Sequence, residues 1–193
     1  MTVGRATVVR WFNAIGYQAI WFALVIGASH GDTGWALVAG GVFVVAQVAL
    51  GGHVVAEAKR LGMALLFGMV IDGVPSMLGW WHYASPSPAL PPGGAPAWIL
   101  MLWLCFATTL SRSLSFVQGR PALAALLGAI GAPMAYLAAA RGWQALLLPA
   151  SPMFAVAWLA ATWAAALPVL AYMAADADRL SHRVNVPDRN TPA

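Results

Sequence analysis

Asp72 is the residue most able to do chemistry in this chain, because its carboxyl group lies in the middle of the apolar segment Leu61–Trp81. The segment has the length of a membrane span, and an ionised side chain near the bilayer centre costs about 2.5 to 3.5 kcal/mol. Two interpretations follow. Asp72 either faces a cavity as a proton-linked, cation-linked or head-group-binding residue, or joins helices as a hydrogen-bonded carboxyl group with Gln18 or a threonine as its partner.

Other polar residues share this depth. At about 1.5 Å of rise per residue, Asp72 lies roughly 16 Å from Leu61, near the centre of a hydrocarbon layer about 30 Å thick. The same count places four further residues near the midplane, namely Gln18, Thr108, Thr109 and Thr162. Pro75 has no amide hydrogen to donate to the Ile71 carbonyl, so we predict a local break in the helix beside Asp72. Broken helices at this depth often line substrate or ion sites.

Arg112 offers a second site. It belongs to a polar stripe with helical spacing, formed by Thr108, Ser111, Arg112 and Ser115. Asn13 falls at a similar depth, so this pair is a candidate for binding an anionic head group or carboxylate from the inner leaflet. Alternatively, Arg112 extends to the interface and marks the end of a helix. The predicted ligand-binding residues are Asp72, Gln18, Asn13, Thr108, Thr109 and Arg112.

The sequence predicts no metal site and no cofactor, and it leaves open whether the protein is an enzyme and which residues would be catalytic. Three histidines lie at the ends of predicted spans, His30 and His82 on the outer side with Asp32, and His53 on the inner side. None has the close spacing of a metal-binding helix motif. The chain also lacks a phosphate loop, a nucleophile elbow and a dinucleotide fingerprint. The single cysteine, Cys105, lies in an apolar run, where we expect it to pack.

Composition indicates an integral membrane protein. Apolar residues make up 61% of the 193 residues and charged residues only 8%, compared with about 25% charged residues in soluble domains. The basic residues that give the net charge of +4 are scattered singly between apolar runs, so they indicate topology and no nucleic-acid partner.

We therefore predict an all-α fold, a polytopic membrane protein with a single bundle of six transmembrane helices over residues 1–175 and a polar cytoplasmic tail over 176–193. The predicted spans are 8–29, 34–52, 61–82, 97–117, 121–141 and 152–174.

Lysine and arginine decide the orientation. With six spans, one side receives Arg5, Arg10, Lys59, Arg60, Arg112, Arg120, Arg179, Arg183 and Arg189, whereas the other side receives Arg141. Both termini are therefore predicted to be cytoplasmic. Five tryptophans at the opposite ends predict an interfacial belt, namely Trp35, Trp80, Trp81, Trp98 and Trp143. The proline-rich stretch 85–96 is expected to be a plain connector, with a lid over a cavity as the alternative.

Three stretches resemble a family of small bacterial inner-membrane proteins, a domain of unknown function. They are Asn13-Ala-Ile-Gly-Tyr-Gln-Ala-Ile-Trp-Phe22, Asp72-Gly73 and Phe106-Ala-Thr-Thr-Leu110. Members are often encoded beside cyclopropane-fatty-acid-synthase-like methyltransferases, so the resemblance implies a role around membrane lipids. After the threonine pair this chain has Ser111-Arg112-Ser113-Leu114, where the resemblance leads us to expect asparagine and histidine.

The expected function is the binding or handling of a lipid or fatty acyl group in membrane-lipid modification. Its expected partners are membrane lipids and lipid-modification enzymes, and its expected location is the bacterial inner membrane. Two alternatives stay open. One is a small-solute transporter or substrate-binding subunit that needs a coupling partner, and the other is a membrane scaffold in which Asp72 only holds helices together.

Overall fold

The computed structural model describes residues 3–51, 54–149 and 151–184, and it is mostly helical, at 76%. Three of its helices are long and apolar enough to cross a membrane, over Thr7–Ser29, Pro121–Trp143 and Met153–Asp176. Two shorter apolar helices cover Gly34–Ala49 and Ala97–Thr109. These helices indicate a membrane-associated protein.

The helices are α1 (Val3–Ser29), α2 (Gly34–Ala49), α3 (Val54–Gly68), α4 (Val74–Met77), α5 (Ala97–Thr109), α6 (Pro121–Trp143) and α7 (Met153–Val184). A π-helical turn, Met69–Gly73, joins α3 directly to α4, and a 3₁₀ turn covers Ser115–Val117. The fold also contains four two-residue strands, which the all-α prediction did not include. Strand β1 (His82–Tyr83) pairs antiparallel with β4 (Leu146–Leu147), and β2 (Ala89–Leu90) pairs antiparallel with β3 (Ala95–Pro96).

The third span was predicted over 61–82, but the helical stretch formed by α3, the π-helical turn and α4 runs from Val54 to Met77, nearer the N-terminus. It starts at Val54, because 54–60 contains neither glycine nor proline, so Lys59 and Arg60 lie inside α3 and not in a loop. It ends at Met77, shortly before Gly79, whose φ of 70° favours a residue without a side chain. Arg60 is also buried, which an exposed topology determinant would not be.

Two other helix ends differ from the predicted spans. Helix α5 ends at Thr109, and turns replace the helix expected up to residue 117, where serines compete with the helix for backbone hydrogen bonds. Helix α7 continues to Val184, because 169–184 contains neither glycine nor proline. The predicted tail is therefore helical at its start, and residues 185–193 lie outside the described part of the chain.

The stretch 85–96 packs against the helices and is more than a connector. The Ser85 hydroxyl donates to the Ala28 carbonyl at 2.8 Å, and the Trp98 indole donates to the Ser85 carbonyl at 3.0 Å. A Cβ at Gly73 would lie 3.0 Å from the Ala95 amide nitrogen, so the stretch also contacts the π-helical turn. Trp81 and Trp98 are both buried, so neither is a belt residue.

Helices α6 and α7 pack along each other, and one glycine sets their separation. A Cβ at Gly128 would lie 2.3 Å from the Trp163 carbonyl oxygen, a backbone atom that cannot rotate away. Glycine at this position therefore permits an approach that every other residue prevents. Gly131 lies one turn further along α6, and a Cβ there would contact nothing within 4 Å.

We expect Gly128→Ala to lower the thermal unfolding temperature of the detergent-purified protein. The added methyl group must push α7 away, which costs about 1 to 3 kcal/mol and corresponds to several degrees. Gly131→Ala is the matched control and should leave the unfolding temperature unchanged or raise it slightly, because alanine favours helix. Equal effects of the two substitutions in a melting experiment would contradict this packing.

Candidate functional site

The Asp72 carboxyl group is completely buried and accepts three hydrogen bonds. The Tyr83 and Tyr136 hydroxyls donate to Oδ1 at 2.8 and 2.5 Å, and the Trp103 indole donates to Oδ2 at 2.7 Å. These donors come from β1, α6 and α5, so one carboxyl group connects three elements to the π-helical turn. We call these four residues the Asp72 cluster.

The predicted break beside Asp72 is confirmed, and its cause is visible. Residues Met69–Gly73 form the π-helical turn immediately before Pro75. Because Pro75 has no amide hydrogen, the Ile71 carbonyl lacks its usual helical partner and accepts instead from the Trp158 indole of α7 at 2.9 Å. A carbonyl freed inside an apolar bundle needs such a partner, so the break also fixes α7 against α3.

Trp103 reaches Asp72 because Gly68, at the end of α3, has no side chain to block the indole. A Cβ at Gly68 would lie 2.7 Å from Cδ1 of Trp103, so glycine lets the indole lie directly on the helix backbone. On its other face Trp103 stacks on Trp163, with ring centroids 4.2 Å apart and planes inclined by 21°. The indole is thus held between α3 and α7 with its N–H directed at the carboxyl group.

A cavity of about 320 Å³ lies next to the Asp72 cluster. Its wall is apolar and contains small residues of α6 together with many aromatic rings. Tyr83, Trp103 and Tyr136 belong to this wall, whereas Asp72 does not. The three aromatic residues therefore direct their polar atoms at the carboxyl group and contribute their rings to the cavity. We call this space the aromatic cavity.

A second group of buried polar residues lies where α1, α2 and the turns after α5 meet. The Asn13 amide donates to the Gln47 side chain at 3.1 Å and accepts from the Ser113 hydroxyl at 2.6 Å, while Arg112 donates to the Gln47 carbonyl at 2.8 Å. Arg60 of α3 donates to Glu57 and to Ser111. This inner polar cluster comprises Asn13, Gln47, Glu57, Arg60, Ser111, Arg112 and Ser113.

The structure brings together only part of the predicted ligand-binding set. Asn13 and Arg112 meet at Gln47, as their shared depth suggested, but no described hydrogen bond joins them to Asp72. Thr108 and Thr109 are buried, and their hydroxyls donate to carbonyls of their own helix, those of Cys105 and Phe106. Thr162 likewise bonds within its own helix, to the Trp158 carbonyl.

Gln18 is exposed on α1 and belongs to neither cluster. The tyrosines and the tryptophan that bind Asp72, and the residues Gln47, Glu57 and Arg60, were missed from the sequence. The i, i+3 spacing of Glu57 and Arg60 was the one available signal for an ion pair. Ligand binding by the six predicted residues stays a prediction.

Metal ligands do not converge in the part of the chain that the structure describes, where no three His, Cys, Asp or Glu side chains could hold one ion. His30, His82 and Asp32 are all exposed. His53 lies outside the described residues. Cys105 is buried, as its apolar surroundings predicted.

We expect Asp72→Leu to destabilise the protein far more than Asp72→Asn. Leucine leaves three buried donors without an acceptor, at about 1 to 3 kcal/mol each. Asparagine can turn its carbonyl oxygen to Trp103, which only donates, while the tyrosine hydroxyls rotate to accept from its amide. Thermal melts of the two variants test this, with Asp32→Asn as the control at an exposed acid. Similar melting temperatures for Asp72→Leu and wild type would show that the cluster holds nothing together.

Comparison with known proteins assigns the sequence to a family. Neither a curated protein nor a solved structure matches the chain. A family described as proteins of unknown function, DUF2878, matches residues 10–169, a range that contains both the Asp72 cluster and the inner polar cluster. Because the match covers most of the sequence, the chain belongs to the DUF2878 family.

Proposed function

We propose that this protein is a multi-pass protein of the bacterial inner membrane that binds the acyl chain of a membrane lipid in its aromatic cavity. The observation that carries the proposal is the cavity itself, because its wall consists almost entirely of apolar atoms. Its volume of about 320 Å³ lies at the lower end of the usual range for ligand sites, about 300 to 1,000 Å³.

Shape must select the ligand of such a cavity. Lipid tails are as apolar as the wall, so moving a chain from the bilayer into the cavity brings no gain from leaving water. The gain comes from dispersion contacts with close-packed rings, which are lost wherever a gap remains. Trp163 stacks on Trp103 and meets Phe106 edge to face, so these rings offer such contacts on one side. The small residues Gly131 and Ala135 leave room in the wall of the cavity.

Asp72 has a positioning role in this proposal. It holds the rings of Tyr83, Trp103 and Tyr136 in the cavity wall and does not touch the ligand. The described wall offers tyrosine hydroxyls but no acid, base or thiol for chemistry on the bound chain. We therefore assign chemistry to a partner, a lipid-modification enzyme that would receive or deliver the bound lipid.

The proposal includes six spans with both termini in the cytoplasm. Helices α1, α6 and α7 are long enough by themselves, and α3 continues through the π-helical turn to Met77. The shorter α2 and α5 are apolar and complete the count. Basic residues support the orientation, because Lys59 in the N-terminal half of α3 and Arg120 just before α6 are exposed and fall on one side in the proposed topology. The opposite loop 85–96 contains no charged residue.

Lipid binding is tested by filling the cavity. Gly131 lines it, and a Cβ there meets nothing within 4 Å, so Gly131→Leu should occupy the space without displacing the backbone. We expect native mass spectrometry with lipid analysis to show a co-purifying lipid on wild type that is reduced at least tenfold in Gly131→Leu. Gly62→Leu is the matched control, since Gly62 is also an open helical glycine but lies outside the cavity.

Equal lipid retention by Gly131→Leu and Gly62→Leu, with both variants melting like wild type, would rule out the aromatic cavity as the lipid site. A protein without any bound lipid would favour a scaffold in which the Asp72 cluster has a purely structural role.

Topology is tested by cysteine labelling. Cys105 is completely buried, so it should not react with a membrane-impermeant thiol reagent. We expect Ser87→Cys to be labelled in intact cells and Lys59→Cys only after the membrane is permeabilised, because both positions are exposed but lie on opposite sides in the proposed topology. The reverse pattern would invert the orientation, and labelling of both in intact cells would contradict the number of spans.

A further inference from the structure

A groove between α1 and α6 adjoins the aromatic cavity. It has a volume of about 390 Å³, and its floor and rim include Gln18 and Phe22 of α1 and Met134 of α6. Tyr17, Trp21 and Ala135 belong to the wall of both the groove and the cavity. The two spaces are therefore neighbours that share one partition, and the groove faces the outside of the bundle.

Gln18 is an unexpected residue for this position. It lies at the middle of the candidate span Thr7–Ser29, about 16 Å from either end. Its side chain is exposed, and no described residue forms a hydrogen bond with it. At this depth the surroundings are hydrocarbon, where an amide group without a partner is costly. Something outside the described chain must therefore satisfy it.

The depth of Gln18 restricts the chemistry of that partner. A carboxamide offers two donor hydrogens and one acceptor oxygen. The ester groups and head groups of an ordinary phospholipid lie at the interface, about 15 Å from the midplane, and do not reach it. A hydroxyl or carbonyl oxygen near the middle of an acyl chain lies at the right depth.

We propose that the groove is the lateral entrance to the aromatic cavity, and that Gln18 hydrogen-bonds an oxygen in the middle of a lipid acyl chain whose distal half occupies the cavity. The inference rests on the proposed function and adds the class of ligand, a mid-chain oxygenated acyl chain. The shared partition supports this occupant, because a chain held at Gln18 is separated from the cavity by the side chains of Tyr17, Trp21 and Ala135 alone among the residues that line both spaces.

A second copy of this chain is the main competing partner for Gln18, since glutamine side chains also hydrogen-bond across helices in membranes. The position of Gln18 disfavours it. The residue lies in a recess whose rim includes Phe22 and Trp143, and a slender chain enters a recess more easily than the ridge of a helix does. The recess also leads to a cavity, which helix pairing does not require.

The experiment uses the full chain in detergent and titrates two lipids that differ by one hydroxyl group. Native mass spectrometry compares phosphatidylcholine that carries a 12-hydroxystearoyl chain with its stearoyl counterpart. We expect wild type to prefer the hydroxylated lipid by about five- to tenfold, as one hydrogen bond allows. Gln18→Leu and the more flexible Gln18→Met should bind both lipids equally, and Gly131→Leu should lose both.

The outcomes separate the two proposals. Equal binding of the two lipids by wild type, or an unchanged preference in both Gln18 variants, overturns the role of Gln18 and leaves the cavity proposal standing. If wild type binds neither lipid, both proposals are overturned. A wild-type dimer that becomes monomeric in Gln18→Leu assigns the residue to contact between copies and overturns the inference. The same spectra report lipid and oligomeric state, so each result is read directly.

Discussion

Burying a carboxyl group inside an apolar bundle requires a hydrogen-bond donor for each of its two oxygens, and this requirement organises the bundle. Asp72 meets it with two tyrosine hydroxyls and one indole, which belong to three separate elements. No element supplies more than one donor, so the carboxyl group is satisfied only when all of them are in place. A group that would be costly alone thus makes the arrangement of β1, α5, α6 and the π-helical turn specific.

The choice of aromatic donors has a further consequence for the space beside them. A lysine or arginine partner would have brought charge to the cavity wall. Tyr83, Trp103 and Tyr136 instead direct their polar atoms at Asp72, and their rings face the cavity. The same three residues therefore donate the hydrogen bonds to Asp72 and form part of the apolar cavity wall. This arrangement also explains why the cavity is apolar although an acidic residue lies directly behind its wall.

Counting residues along helices predicted a helix break beside Asp72 and the proximity of Asn13 and Arg112, but it did not predict the direction of the side chains. Counting does not tell which way a side chain points. Gln18 and Asp72 were both predicted to lie near the midplane, yet one lies in a groove on the outside of the bundle and the other is enclosed. With a helical turn every 3.6 residues, an error of one or two positions in packing reverses such an assignment.

The hydrogen-bond partners of Asp72 were missed because local sequence patterns do not indicate contacts between distant parts of the chain. Tyr83 belongs to a two-residue strand whose partner Leu146 is far away in sequence, so its pairing is a property of the whole fold. Trp81 and Trp98 have the positions of interfacial residues but are buried, and Trp98 donates a hydrogen bond to Ser85 in a stretch that was predicted to be a plain connector. The ends of two helices were similarly missed, because α3 begins before its charged residues Glu57, Lys59 and Arg60 and α5 ends just before a serine-rich turn.

Polar contacts close the bundle on both sides of its apolar interior, so in the proposed topology they favour the proposed lateral entry of a lipid over passage of a solute across the membrane. The Asp72 cluster and the hydrogen bonds of Ser85 close the side of the stretch 85–96. Towards the other side, Leu114 of the cavity wall follows directly after Arg112 and Ser113 of the inner polar cluster. A solute crossing along the helix axes would have to break one set of buried bonds and then the other. A chain entering between α1 and α6 breaks neither, because the partition there consists of Tyr17, Trp21 and Ala135, none of which belongs to either cluster.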